Sequence, residues 1–232
     1  MSAKLESIAL FSDLPTDALN ALDARCVWRN YAPGQQILHH RDQSRDVFLI
    51  ASGTVRVATH AVSGRELNYR DIGTGEIFGE FAAIDGQPRS AGVVALSTCR
   101  IGMISANDFW SILRSHAEVA EAMLKHLTKL VRLYSERLLE FATLPISLRL
   151  RIELIRLARL GSREGISAII EPSPTHIELA SRIGTHRESV TRELTQLRRE
   201  GLVESERKRI VICDIDRFEQ IVCRAAGESL ID

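Results

Sequence analysis

The sequence has little cysteine, no excess of either charge and no long apolar run. Its 232 residues include 4 cysteines, and 30 basic residues balance 30 acidic ones. Scattered cysteines without CxxC spacing argue against a disulfide scaffold and against a zinc site. No run approaches the roughly 18 apolar residues that span a bilayer, and the start of the chain lacks the apolar block of a secretory signal. We therefore expect a cytoplasmic protein without a membrane partner.

The chain does contain enough apolar residues to build cores. Hydrophobic residues make up 45% of the chain and charged residues 26%, a composition that excludes disorder of the whole chain. The length fits one large domain or two ordinary ones.

Short apolar runs dominate the first half of the chain. From about residue 31 to residue 103 they alternate with turns that contain glycine, and runs such as 47–50, 55–57 and 93–95 predict closely spaced strands. This spacing is typical of a β-sandwich, a jelly roll or a barrel.

A helical repeat follows this β region. Glycine and proline are absent from 107–143, and apolar residues there recur at alternating steps of three and four. This is the a/d seam of a coiled coil, so it predicts a long helix that pairs with a second copy, with packing on its own β domain as the alternative. Pro145 ends the helix, and we place a hinge at 141–145. The seam residues are Leu124, Leu127, Val131, Tyr134, Leu138 and Phe141.

The C-terminal part has the pattern of a helix-turn-helix. Thr175 and Glu178 have capping-box spacing, and Gly184 suits the tight turn. Thr185 is the predicted cap of the second helix, which Gly201 ends.

A wing follows the second helix. Two short apolar runs flank the charged turn 204–209 and predict two strands. Together with the two helices, this pattern predicts a winged helix.

The start of the second helix exposes residues that can read DNA. A recognition helix contacts base edges with its N-terminal residues, where Arg can hold guanine and Glu can accept from cytosine. Arg187, Glu188 and Arg192 are the predicted base-reading residues; a solvated face with helix ion pairs is the alternative. The predicted phosphate contacts are Arg182, Thr185, His186, Thr191, Arg207, Lys208 and Arg209.

The local charge removes the objection that a neutral protein should not bind DNA. From residue 182 to residue 209 there are eight Lys and Arg against five Asp and Glu. The basic residues are therefore concentrated where DNA phosphates would lie.

One segment of the β region carries the most specific signature. Gly79 and Glu80 open a short helix whose free N–H groups can hold an anion. Arg89 and Ser90 add a guanidinium fork and a hydroxyl, and the small Ala91 permits a close approach. Glu80 beside a phosphate makes sense if it binds a sugar hydroxyl, so the segment predicts a nucleotide site.

This segment resembles the phosphate-binding cassette of cyclic-nucleotide-binding domains. With the long helix and the winged helix, it resembles the CRP/FNR regulators over nearly the whole chain, specifically their cAMP receptor protein branch. The resemblance implies an α+β fold in three parts. These are a cyclic-nucleotide-binding β-roll (jelly roll) at 1–106, a dimerisation helix and hinge at 107–144, and a winged helix-turn-helix DNA-binding domain at 145–232.

The resemblance also implies a role for each residue of the cassette, by which we mean residues 75–91. Gly79 and Glu80 would bind the ribose. Arg89 and Ser90 would hold the cyclic phosphate, and the backbone N–H of Ala91 would donate to it.

Outside the cassette, the resemblance implies the remaining contacts. Tyr134 and Ser135 occupy the positions of a hydroxyl pair that reaches the purine, and Tyr stands where the family usually has Thr, so cAMP and cGMP both stay open as ligands. Arg187, Glu188 and Arg192 match the base-reading triplet of the branch. This match implies a homodimer on double-stranded DNA with a TGTGA-like palindrome, and RNA polymerase as a further partner.

The same residues leave some other functions open and exclude others. The chain could be a regulator of this family that has lost its ligand or senses another small effector, or a binding module whose helix-turn-helix contacts protein. An iron–sulfur sensor is excluded because only Cys26 lies in the N-terminal region, and His39 and His40 lack a third metal ligand nearby. We expect no metal and no enzymatic activity, since GxSxG, HExxH and Walker-type motifs are absent.

Overall fold

A computed structural model describes residues 5–60, 66–206 and 208–226 of the chain. No helix in these ranges is long and apolar enough to cross a membrane. The chain divides into two compact units, Met1–Leu130 and Val131–Asp232. The limits of the three domains at 106 and 144 stay a prediction, since this division falls inside a helix.

The first unit is built on two antiparallel sheets. After short 3-10 turns at Leu5–Ser7 and Ala9–Phe11, its elements are α1 Thr16–Asp23, β1 Val27–Tyr31, β2 Gln36–Leu38, β3 Val47–Ser52, β4 Val55–His60, β5 Glu66–Ile72, β6 Ile77–Phe78, α2 Glu80–Asp85, β7 Gly92–Ala95, β8 Cys99–Ile104, α3 Ala106–Ser115 and the first part of α4 Ala117–Thr143. The strand orders of the two sheets are β1-β8-β3-β6 and β2-β7-β4-β5. This arrangement confirms the predicted jelly roll, because every run predicted as a strand lies in one of the two sheets.

Strand β3 separates two hydrophobic cores. Successive side chains of a strand point to opposite faces. Phe48 and Ile50 pack in the core between the sheets, and Val47 and Leu49 pack in the core beneath the N-terminal helices. This double burial explains why β3 is an unbroken apolar run rather than an alternating one.

The helical region that follows is two helices. Ser105 caps α3, since its side chain accepts from the Asp108 N–H at 3.1 Å, and His116 interrupts the helical backbone before α4. Three residues spaced seven apart on α4 are exposed: Leu124 by 66%, Val131 by 65% and Leu138 by 69%. This is half of the predicted seam, and it forms an apolar stripe along the helix.

The second unit contains the winged helix. After the end of α4, its elements are α5 Ile146–Leu160, β9 Ser162–Glu164, β10 Ser167–Ile170, α6 His176–Arg182, α7 Arg187–Arg199, β11 Val203–Ser205, β12 Ile210–Ile212 and α8 Ile215–Ala226. Its sheet has the antiparallel order β11-β12-β10-β9, and its core gathers apolar side chains from α5, α6, α7 and α8. The predicted helix-turn-helix and wing are therefore confirmed.

The helix-turn-helix confirms two of its predicted local signals and corrects a third. Thr175 and Glu178 form the predicted capping box, and Gly184 makes the turn with a φ of +65°. Thr185 does not cap α7. The N-cap residue is His186, and Thr185 is buried while its N–H donates to the carbonyl of Ala180 at 2.9 Å.

Candidate functional site

The cassette turns sharply at Gly79, between β6 and α2. The φ of Gly79 is +84°, a left-handed conformation that favours glycine. A Cβ at this position would lie 2.7 Å from Nη1 of Arg89 and 3.1 Å from the carbonyl oxygen of Asp46. Only glycine therefore combines this backbone conformation with so close an approach of Arg89.

Arg89 is held rigidly beneath this turn, with 3% of its surface exposed. Its Nη1 donates to the carbonyl of Gly79 at 2.7 Å, its Nη2 to the carbonyl of Asp46 at 2.8 Å and its Nε to the hydroxyl of Ser44 at 3.2 Å. The guanidinium also lies over the ring of Phe48, 5.5 Å from the ring centroid. The side chain of Arg89, near the end of the cassette, thus connects Gly79, near its start, to the 42–46 loop.

The charge of Arg89 has no direct counter-ion. In the described part of the chain, no carboxylate lies within 4.0 Å of its guanidinium. Burial lowers the pKa of Arg89, an effect that the more distant Asp46, Asp42 and Glu80 oppose. Because buried charges in proteins are normally paired, an unpaired buried guanidinium with spare N–H groups indicates a site for an anion.

The residues after Arg89 add further donors. Ser90 is exposed and Ala91 is buried. Within the described ranges, neither backbone N–H donates to another protein group. These two free N–H groups directly follow Arg89 in the chain, and consecutive free backbone N–H groups can bind an anion.

Glu80 lies at the start of α2 and is buried. Its Oε1 lies 3.5 Å from Nε2 of His126 on α4. The sequence alone does not single out His126, because no local motif distinguishes it from other helix histidines. The contact places a potential proton donor next to the carboxylate that is predicted to hold a ribose hydroxyl.

The recognition helix α7 presents its predicted base-reading residues to solvent. The side chains of Arg187, Glu188 and Arg192 are all exposed at its first two turns. They line one open groove, together with Thr191, Thr195, Gln196 and Arg199. An exposed row of this kind can enter the major groove of DNA.

Comparisons with known proteins match both parts of the chain that contain these residues. A model of the cyclic nucleotide-binding domain matches residues 28–116, and a model of the Crp-like helix-turn-helix domain matches residues 149–221. The Cyclic AMP receptor protein of Thermus thermophilus is 32% identical over 176 residues, which cover 75% of this chain and 78% of that protein. The chain belongs to the CRP/FNR family of transcription regulators.

Two further relatives extend the match to almost the whole chain. A CRP-like cAMP-activated global transcriptional regulator of Mycobacterium tuberculosis is 24% identical over 94% of this chain and 98% of its own length. The structure of the c-di-GMP responsive regulator CLP of Xanthomonas campestris has a TM-score of 0.77 at 20% identity, covering 85% of this chain and 99% of that one, and shares its fold. The CRP/FNR proteins are transcription regulators and not enzymes.

The two predicted purine contacts of this CRP/FNR regulator lie on α4, in the second unit. Tyr134 is half-buried and Ser135 is exposed. Their approach to the cassette stays a prediction.

The predicted phosphate contacts of the CRP/FNR regulator differ in exposure. His186, Thr191 and Lys208 are exposed, whereas Arg209 is partly buried and its Nε donates to Glu206 at 2.9 Å. Arg207 lies outside the described residues.

Two of the predicted phosphate contacts face the protein interior, and the structure corrects them. Thr185 has 4% of its surface exposed. Nη1 of Arg182 lies 3.1 Å from Oε1 of Glu153, a carboxylate that is itself buried and requires a cation. Both side chains support the helix-turn-helix from inside.

The described residues contain no group of three His, Cys, Asp or Glu that could hold a metal ion.

Proposed function

We propose that this CRP/FNR regulator is a cyclic-nucleotide-dependent homodimer that binds a TGTGA-like palindrome in double-stranded DNA. The observation that carries the proposal is the buried guanidinium of Arg89, which has no direct counter-ion and is followed in the chain by the free N–H groups of Ser90 and Ala91. A cyclic phosphate would supply the missing negative charge, and Glu80 would accept from a ribose hydroxyl.

The nucleotide is cAMP or cGMP. Curated relatives are named as cAMP-activated regulators, which favours cAMP. Tyr134 at the predicted purine position departs from the usual Thr and therefore favours neither base over the other.

Calorimetry with cAMP, cGMP and c-di-GMP tests the ligand assignment. We expect one of the cyclic mononucleotides to bind the native protein, Arg89→Ala to abolish that binding, and the exposed Arg45→Ala to leave it unchanged. Undiminished affinity in Arg89→Ala would overturn the cassette assignment. Binding of c-di-GMP alone would instead identify a regulator that responds to another effector.

The apolar stripe on α4 supports a homodimer. Leu124, Val131 and Leu138 are separated by seven residues and are each about two-thirds exposed. Burying a side chain of this size contributes roughly 1.5–3 kcal/mol. A second copy of α4 can bury this stripe, because its own stripe has the same seven-residue spacing.

In the dimer, the two α7 helices would enter successive major grooves of the DNA. This requires that the two helices lie ~34 Å apart. Nucleotide binding shifts the population toward an arrangement with that separation. On a promoter, the bound dimer would then contact RNA polymerase, with residues 162–175 as the candidate surface. A regulator that acts in this way works in the cytoplasm.

A further inference from the structure

We propose that Glu153 is a positioning residue that fastens the helix-turn-helix to the end of α4, so that these elements move as one body. The inference deepens the proposed function and rests on it for the consequence at DNA. Its structural part concerns only contacts within the second unit.

Glu153 lies on α5 and is 1% exposed. Arginines from three helices converge on its carboxylate. Arg137 of α4 lies at 2.9 Å, Arg182 of α6 at 3.1 Å and Arg156 of α5 at 3.7 Å. One carboxylate therefore joins the dimerisation helix to the first helix of the helix-turn-helix.

Glu140 provides a second carboxylate on α4, again 1% exposed. Both terminal nitrogens of Arg156 contact it, one of them at 3.0 Å, and Arg137 lies at 4.0 Å. Three guanidinium groups and two carboxylates thus form one cluster between α4, α5 and α6. Separating the helices would leave buried charges without partners, which is strongly unfavourable.

A second contact fastens the same two elements independently of this cluster. Phe141 lies four residues after Arg137 and so on the same face of α4. The guanidinium of Arg149 lies 5.5 Å from the Phe141 ring centroid, and its Nη1 donates to the carbonyl of Ile183 at 2.8 Å. Ile183 directly follows Arg182, so both contacts reach the same end of α6.

These contacts change the interpretation of the predicted hinge. The segment 141–145 connects α4 to α5 and would allow them to reorient if it were free. Both sets of contacts bridge it, because Arg137 and Glu140 precede the segment, Phe141 is its first residue, and their partners follow it. In this arrangement the end of α4 and the helix-turn-helix are therefore held together across the segment.

Amide hydrogen exchange of the full-length protein tests the fastening directly. Arg137→Met removes the α4 residue that contacts Glu153 and leaves Glu140 in place. Arg132→Met, at an exposed position of the same helix, is the matched control. We expect exchange of the amides at 137–143 to be about tenfold faster in Arg137→Met, with the core amides of α7 unchanged. Exchange equal to that of the native protein and of Arg132→Met would overturn the proposal.

A second variant keeps the test decisive if Arg137→Met disturbs folding. Phe141→Leu keeps an apolar side chain and removes only the ring beside Arg149. It should also speed exchange in the last turn of α4, and native exchange in this variant would contradict the inference.

A readout at DNA separates positioning from mere stabilisation. The ratio of DNA dissociation constants without and with cAMP or cGMP should fall several-fold toward one in Arg137→Met and stay native in Arg132→Met. An unchanged ratio would argue against a positioning role. If the native protein shows no nucleotide-dependent DNA binding, the proposed function fails, while the exchange experiment still decides whether the fastening exists.

Discussion

The guanidinium of Arg89 and the backbone of Gly79 constrain each other. Nη1 of Arg89 donates to the Gly79 carbonyl at 2.7 Å, and it would lie equally close to any Cβ placed at residue 79. The left-handed turn at Gly79 and the buried guanidinium of Arg89 therefore depend on each other. Changing either residue must disturb the position of the other.

Gly79→Ala should weaken nucleotide binding and destabilise the first unit by about 1–3 kcal/mol. The added Cβ meets Arg89 and also strains a backbone with positive φ. Gly34→Ala is the matched control, because Gly34 has a φ of +80° and nothing within 4 Å of an added Cβ. Thermal unfolding and calorimetry of both variants separate the two effects. Equal losses in both variants would show that contact with Arg89 contributes nothing.

Leu138→Glu should weaken dimerisation, because it places a charge in the apolar stripe of α4. The loss of one buried leucine corresponds to roughly 1.5–3 kcal/mol, and the buried carboxylates add to it. Lys125→Glu changes an exposed residue outside the stripe and serves as the control. Sedimentation equilibrium measures the dissociation constant. An unaltered constant for Leu138→Glu would place the dimer interface elsewhere.

Arg187→Ala should cost ~1–3 kcal/mol of DNA binding and relax the preference at one base pair. Lys208→Ala should instead weaken binding equally for all sequences and reduce the salt dependence, as the loss of a phosphate contact does. Binding measured on a set of single-base operator variants distinguishes the two patterns. Uniform weakening by Arg187→Ala would assign that residue to the DNA backbone.

His176 should make the second unit less stable in weak acid. Burial, with Arg187 and Arg198 nearby, lowers the pKa of His176, while Nδ1 lies 2.8 Å from the Thr191 hydroxyl. A histidine whose pKa is lower in the folded state binds protons more readily when unfolded. Its contribution is thus present above the unfolded-state value of about 6.5 and is lost as the pH falls.

Urea unfolding at pH 7.5 and pH 5.5 measures this effect. The difference between the two pH values should be smaller in His176→Gln than in the native protein. A difference of the same size in both would assign the acid sensitivity to other groups.

The architecture was predictable because its signals are local. The strands of the β-roll, the capping box at Thr175 and the turn at Gly184 each follow from a few neighbouring residues. The cassette was predictable for the same reason, since Gly79, Glu80, Arg89 and Ser90 lie within one short segment.

Three contacts that the sequence did not predict each join two different helices. Arg182 has the charge and the sequence position expected of a phosphate contact. Its guanidinium instead donates to Glu153, which lies 29 residues earlier in the chain. Phe141 continues the seam in sequence, but its ring meets Arg149 of α5. Glu80 and His126 are 46 residues apart. Nothing in the local pattern of a helix indicates which distant charge will pack against it.

A mobility-shift titration on a TGTGA palindrome tests the central claim most directly. It compares the native protein with Arg89→Ala, each without nucleotide, with cAMP and with cGMP. We predict that the native protein shifts the palindrome tightly only with one or both nucleotides, and that Arg89→Ala does not respond to either. Equal binding with and without nucleotide, or a nucleotide response that survives in Arg89→Ala, would contradict the account.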